Sequence, residues 1–70
     1  MINDMINDAN QLALHFASFP REEAIAGVLD HIRKFWERRM REQLIDYVAH
    51  GGAGLDELVI EAVKRMEISA

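Results

Sequence analysis

REEAIAGVLDHIRKFWERRMREQLIDYVAHGG, Arg21 to Gly52, decides the fold, because it reads either as one long helix or as two. Ala24, Ile25, Val28, Leu29 and Ile32, followed by Phe35 or Trp36, recur at steps of three and four, the spacing that lines one face of a helix. From Glu37 the stripe passes to Met40, Leu44, Ile45 and Val48, with Tyr47 beside it. It stops at His50-Gly51-Gly52, where glycine can take the left-handed geometry that ends a helix. One unbroken helix over this stretch would be about 45 Å long at 1.5 Å per residue, more than so short a chain can span as a globule. A break near Trp36-Glu37 is therefore expected, with a second helix before it and a third that ends near His50. Gly27 lies inside the second helix without interrupting the stripe, which favours a close packing contact over a helix end.

Toward the N-terminus, Ser18-Phe19-Pro20 interrupts the pattern, since proline pushes the preceding residue to extended geometry and suits the opening of a new helix. Glu22 and Glu23 follow where helix starts favour carboxylates. Before the break, Ile2, Met5, Ile6, Ala9, Leu12, Ala13, Phe16 and Ala17 mark a first helix from about Asn3 to Ala17. The duplication MIND-MIND sets Met1 over Met5 and Asp4 over Asp8 one turn apart, and Met5 is a second candidate start. With no cationic residue ahead of it, this segment does not read as a signal peptide. Toward the C-terminus, Gly51-Gly52-Ala53-Gly54 forms a loop and Asp56 is a good N-cap. Leu58, Val59, Ala62, Val63 and Met66 then give a fourth helix from about Asp56 to Glu67. The expected fold is all-α, a small bundle of about four short helices, in one domain over residues 1–70.

Composition narrows the function. Half of the residues are hydrophobic, which excludes a disordered chain and points to a soluble fold. So small a core has little stability to spare, and the absence of cysteine removes disulfides, thiolate metal sites and iron–sulfur ligation as remedies. Tight helix packing, self-association or burial against a larger partner remains. His15, His31 and His50 fit no short ligand spacing, so no metal is expected. No apolar run approaches the roughly 20 residues that span a bilayer, and the expected location is the cytoplasm. Ser18, Ser69 and Tyr47 are the only hydroxyls, without a neighbouring base or a phosphate-binding loop, so no catalytic or cofactor-binding residue is assigned.

The densest feature is the run of five cations, Arg33, Lys34, Arg38, Arg39 and Arg41, around Phe35, Trp36 and Met40. Asp30, Glu37, Glu42 and Asp46 interleave four negative charges, leaving +1 over residues 30 to 46. With the chain at −4 overall, a nucleic-acid partner is not expected. Asp30 with Lys34, Glu37 with Arg41, and Arg38 with Glu42 are spaced to pair along a helix, whereas Arg39 has no such neighbour. Phe35 and Trp36 point about 100° apart, so both cannot enter one small core, and exposed aromatics, arginine and methionine are typical of protein interfaces.

ANQL (Ala9 to Leu12) with Phe16, then Pro20, HIRKFWERRMR (His31 to Arg41), GGAGL (Gly51 to Leu55) and LVIEAV (Leu58 to Val63) together resemble the delta subunit of soluble, NAD-dependent, molybdenum-containing formate dehydrogenases. The resemblance covers nearly the whole chain, and its most specific part is the FW…RMR string followed by GG.GL. Members of that family commonly carry proline after the acid that follows the tryptophan, where this chain has Arg38. The resemblance implies a non-catalytic accessory subunit that supports assembly, stability or cofactor retention of a large catalytic subunit. The molybdenum cofactor, iron–sulfur clusters and FMN would belong to the partner subunits. Phe35, Trp36, Arg38, Arg39, Met40 and Arg41 are the candidate docking residues, with Asn10 and Gln11 as weaker ones because they are polar and lie in the matching N-terminal motif. The alternative is a free-standing homodimeric helical module.

Overall fold

The computed structural model describes residues 2–69, and the side chains of residues 3–66. Four helices follow in order: α1 (Ile2–Phe16), α2 (Arg21–Phe35), α3 (Arg38–Ala49) and α4 (Glu57–Ser69), with no strand among the described residues. The all-α expectation holds, and the helix ends fall within two residues of those read from periodicity. The expected stacking of Met1 over Met5 lies outside the described residues.

The break between α2 and α3 forms without proline or glycine. Trp36 (φ −87°, ψ 138°) and Glu37 (φ −65°, ψ 153°) both take extended backbone geometry. Trp36 N–H still donates to the Ile32 carbonyl at 3.1 Å, and Arg41 N–H to the Glu37 carbonyl at 3.0 Å, so one helix closes and the next opens across two residues. This turn, the α2–α3 elbow, redirects the chain so that α3 packs on α4 and buries Leu44 in the core. Pro20 stands at the N-cap of α2, one position before the N1 slot where proline is most favoured, and its carbonyl accepts from Ala24 N–H at 2.8 Å.

At its far end α3 stops in a Schellman arrangement. Gly51 N–H donates to the Val48 carbonyl and Gly52 N–H to the Tyr47 carbonyl, both at 3.0 Å, with Gly51 and Gly52 at positive φ. Asp56 then caps α4, its Oδ1 accepting from Leu58 N–H at 2.9 Å.

The core is built from Met5, Ala9 and Ala13 of α1, Ala24, Ile25, Val28 and Ile32 of α2, Leu44 of α3, and Val59, Ala62, Val63 and Met66 of α4. Small residues at one-turn spacing on α1 let it lie close to α2 and α4. The same economy of space explains Gly27: a Cβ there would come within 2.5 Å of the Phe16 ring, so the glycine seats an aromatic side chain of α1 against the backbone of α2. Two ion pairs join α2 to α4, Arg21 to Glu57 at 2.9 Å and a two-pronged Arg65 to Glu22 at 2.8 and 2.9 Å. Hydrogen bonding to Arg65 holds the Glu22 carboxyl below its ordinary pKa. The favourable contribution of that group is therefore present at neutral pH and is lost as acid carries the solution down through the lowered pKa.

Candidate functional site

Chemistry finds few footholds on this molecule. The described residues include no cluster of three or more His, Asp or Glu side chains that could hold a metal ion. One shallow depression of about 280 Å³ beside the end of α3 is lined by Gln43, Asp46, Tyr47 and His50. Tyr47 and His50 are already engaged there. Tyr47 Oη donates to the Ala53 carbonyl, and His50 Nδ1 lies 2.8 Å from the Asp46 carbonyl and 3.7 Å from its carboxylate. No buried side-chain polar atom among the described residues is left without a hydrogen-bond partner.

The elbow is the more distinctive surface, and the structure divides the eight residues singled out from the sequence. Phe35 is 71% exposed and lies against the His31 ring at 4.7 Å between centroids. Trp36 and Met40 are half-buried and pack against the core, so of the two adjacent aromatics the tryptophan turns inward and the phenylalanine stays outside. Arg38 is exposed and bonded to Glu42 at 3.1 Å, and Lys34 pairs with Asp30 at 3.2 Å, both as expected. The expected Glu37–Arg41 pair is replaced by a different contact: Arg41 Nη1 reaches back across the turn to the Arg33 carbonyl at 3.3 Å. The last carbonyls of α2 have no partner within their own helix, so a guanidinium donor there closes the elbow. Arg39 is exposed and forms no ion pair with a described residue.

Asn10 belongs to another region. Its Nδ2 donates to the Gly54 carbonyl and its Oδ1 accepts from Asp56 N–H, both at 2.8 Å, so the amide engages the loop backbone from both sides. Gln11 is exposed next to it on α1. The ANQL and GGAGL segments thus meet in space through Asn10 and Gly54, 44 residues apart in the chain. Sequence reading missed this contact and the two α2–α4 ion pairs, since neither has a local spacing to reveal it. At the elbow, Phe35, Arg38 and Arg39 are all exposed, Arg38 paired with Glu42 and Arg39 in no ion pair with a described residue.

A model of the family described as NADH-dependent formate dehydrogenase delta subunit FdsD matches residues 4–63, a span that includes Asn10, the elbow and the glycine loop. No curated protein matches the chain, and no solved structure does.

Proposed function

This chain belongs to the FdsD family of NADH-dependent formate dehydrogenase delta subunits, and from that membership we propose that it is a non-catalytic accessory subunit supporting the assembly, stability or cofactor retention of the large catalytic subunit. The family match over most of the chain carries the reading. The absence of cysteine supports it, because a chain without thiolates cannot hold an iron–sulfur cluster in the usual way. The molybdenum cofactor, iron–sulfur clusters and FMN then reside in the partner subunits, and the assembly works in the cytoplasm. No described helix is long and apolar enough to cross a membrane. Docking draws on the elbow residues Phe35, Trp36, Arg38, Arg39, Met40 and Arg41. Of these, Trp36, Met40 and Arg41 shape the elbow from within, while Phe35, Arg38 and Arg39 meet the partner. Asn10 and Gln11 contribute less directly, Asn10 by fixing the loop before α4.

The test is to tag this chain in its own cell, purify gently and measure what accompanies it. A large subunit containing molybdenum and iron–sulfur clusters is the expected companion. Cells lacking the chain should yield a formate dehydrogenase with less bound molybdenum and lower formate-dependent NAD reduction. Recovery of the chain alone at both low and high salt, or as a tight symmetric dimer indifferent to the other subunits, would overturn the reading.

A further inference from the structure

We infer that the α2–α3 elbow binds an acidic segment of a formate dehydrogenase subunit that also offers an apolar pocket, with Arg39 pairing to a partner carboxylate and Phe35 filling the pocket. This rests on the accessory-subunit reading and adds to it the chemistry of the surface that is recognised.

Charge distribution supplies the argument for the occupant. Five of the eight Lys and Arg residues lie between Arg33 and Arg41 with a single acid, Glu37, whereas the rest of the chain carries three cations against eleven acids. An acidic partner surface is repelled elsewhere and accepted at the elbow, where complementary charge fixes the orientation of approach. The flanking acids do not cancel every member of the cluster. Asp30 holds Lys34, Glu42 holds Arg38, and the Arg41 guanidinium is directed to the Arg33 carbonyl. Arg39 stays exposed with no ion pair to a described residue, and its planar guanidinium matches a carboxylate with two parallel hydrogen bonds.

Phe35 supplies the apolar half. Among the large hydrophobic side chains of the described residues it is the most open, ahead of Leu14 at 69% and Phe19 at 48%. Phe19 packs on Phe16 at 5.4 Å between centroids and the cation nearest to it in the chain, Arg21, is already paired with Glu57, while Leu14 has no Lys or Arg on its helix turn. Aromatic and arginine side chains, which the elbow segment exposes at Phe35 and Arg39, are the residue types enriched among those that dominate binding energy at protein interfaces.

The experiment titrates fluorescently labelled full-length chain into formate dehydrogenase isolated from cells that lack it. Phe35→Ala should weaken binding about tenfold or more at any salt concentration, the loss of one anchoring side chain. Arg39→Glu should weaken it at least as much at low salt, with Arg39→Lys retaining most of the affinity. The gap between Arg39→Glu and the parent chain should shrink at high salt, where exposed charge is screened. Both residues are exposed, so helical circular dichroism should be unchanged and a binding loss cannot be assigned to unfolding. Normal binding by both Phe35→Ala and Arg39→Glu overturns the inference while leaving the accessory role intact. Failure of the parent chain to bind overturns the accessory role itself. Tight binding of a duplex DNA oligonucleotide, falling steeply with salt and abolished by Arg39→Glu, would assign the elbow to nucleic acid and also overturn the inference.

Discussion

α2 and α3 have stripes of comparable strength in the sequence, yet the structure treats them differently. α2 buries Ala24, Ile25, Val28 and Ile32 and is fastened to α4 by Arg21–Glu57 and Glu22–Arg65. α3 buries Leu44 alone and leaves Met40, Ile45, Tyr47 and Val48 half-covered. The difference arises at the two turns that bound α3, the extended Trp36-Glu37 step and the Gly51-Gly52 cap, which pack it mainly on α4 and only lightly on α1 and α2. A periodic stripe says that a helix has an apolar side. How deeply that side is covered depends on the number of neighbours the turns bring to it. On the docking proposed above, a partner would add the missing contacts at the thinly covered helix and its elbow.

The sharpest way to break this comparison is to empty the core on each side of it. Ile25→Ala should cost about 2–5 kcal/mol, enough to unfold much of so small a domain, and helical circular dichroism should fall throughout the chain. Leu44→Ala removes a side chain of similar volume, but the damage should stay local. Amide exchange should accelerate in α3 while Val28, Ile32, Val59 and Val63 keep their protection, the behaviour of a separately opening unit. If Leu44→Ala exposes α2 and α4 as fully as Ile25→Ala does, α3 is as integral to the core as its neighbours and the contrast fails.

A second substitution sharpens the role of the turn beyond α3. Asn10→Ala deletes two hydrogen bonds to the Gly54–Asp56 backbone, for a loss of about 1–3 kcal/mol by the usual net value of such bonds. The readout is the urea midpoint, together with faster exchange of the Asp56 amide. An unchanged midpoint would mean that the glycines and the Asp56 cap hold the loop alone. The Asn10 contact was not legible in the sequence, where Asn10 stood as a weaker docking candidate, polar and within the matching N-terminal motif. Helical spacing exposes neighbours three and four positions apart, while this contact spans 44 residues and the Glu22–Arg65 pair spans 43. By the same limit, the five cations of the elbow were plain from the sequence, but which of them stays available required geometry. Arg41 had a natural helical partner in Glu37, and the backbone turn gave it the Arg33 carbonyl instead.

The smallest expected effect tests the elbow most directly. Arg38 is the first residue of α3, where a helix has no internal acceptor for the backbone N–H and a proline ring is well tolerated. Glu37, just before it, already has the φ of −65° and ψ of 153° that proline demands of its predecessor. Arg38→Pro should therefore leave stability within about 1 kcal/mol of the parent, because the stiffer unfolded chain offsets the lost Arg38–Glu42 pair, an exposed contact of modest value. Thermal unfolding of the two chains measures it. A loss of several kcal/mol would show that the N–H of residue 38 belongs to an unbroken helix and that α2 and α3 are one element. A neutral result would show that Trp36 and Glu37 hold the break open by themselves, so that the arginine is free to serve the surface.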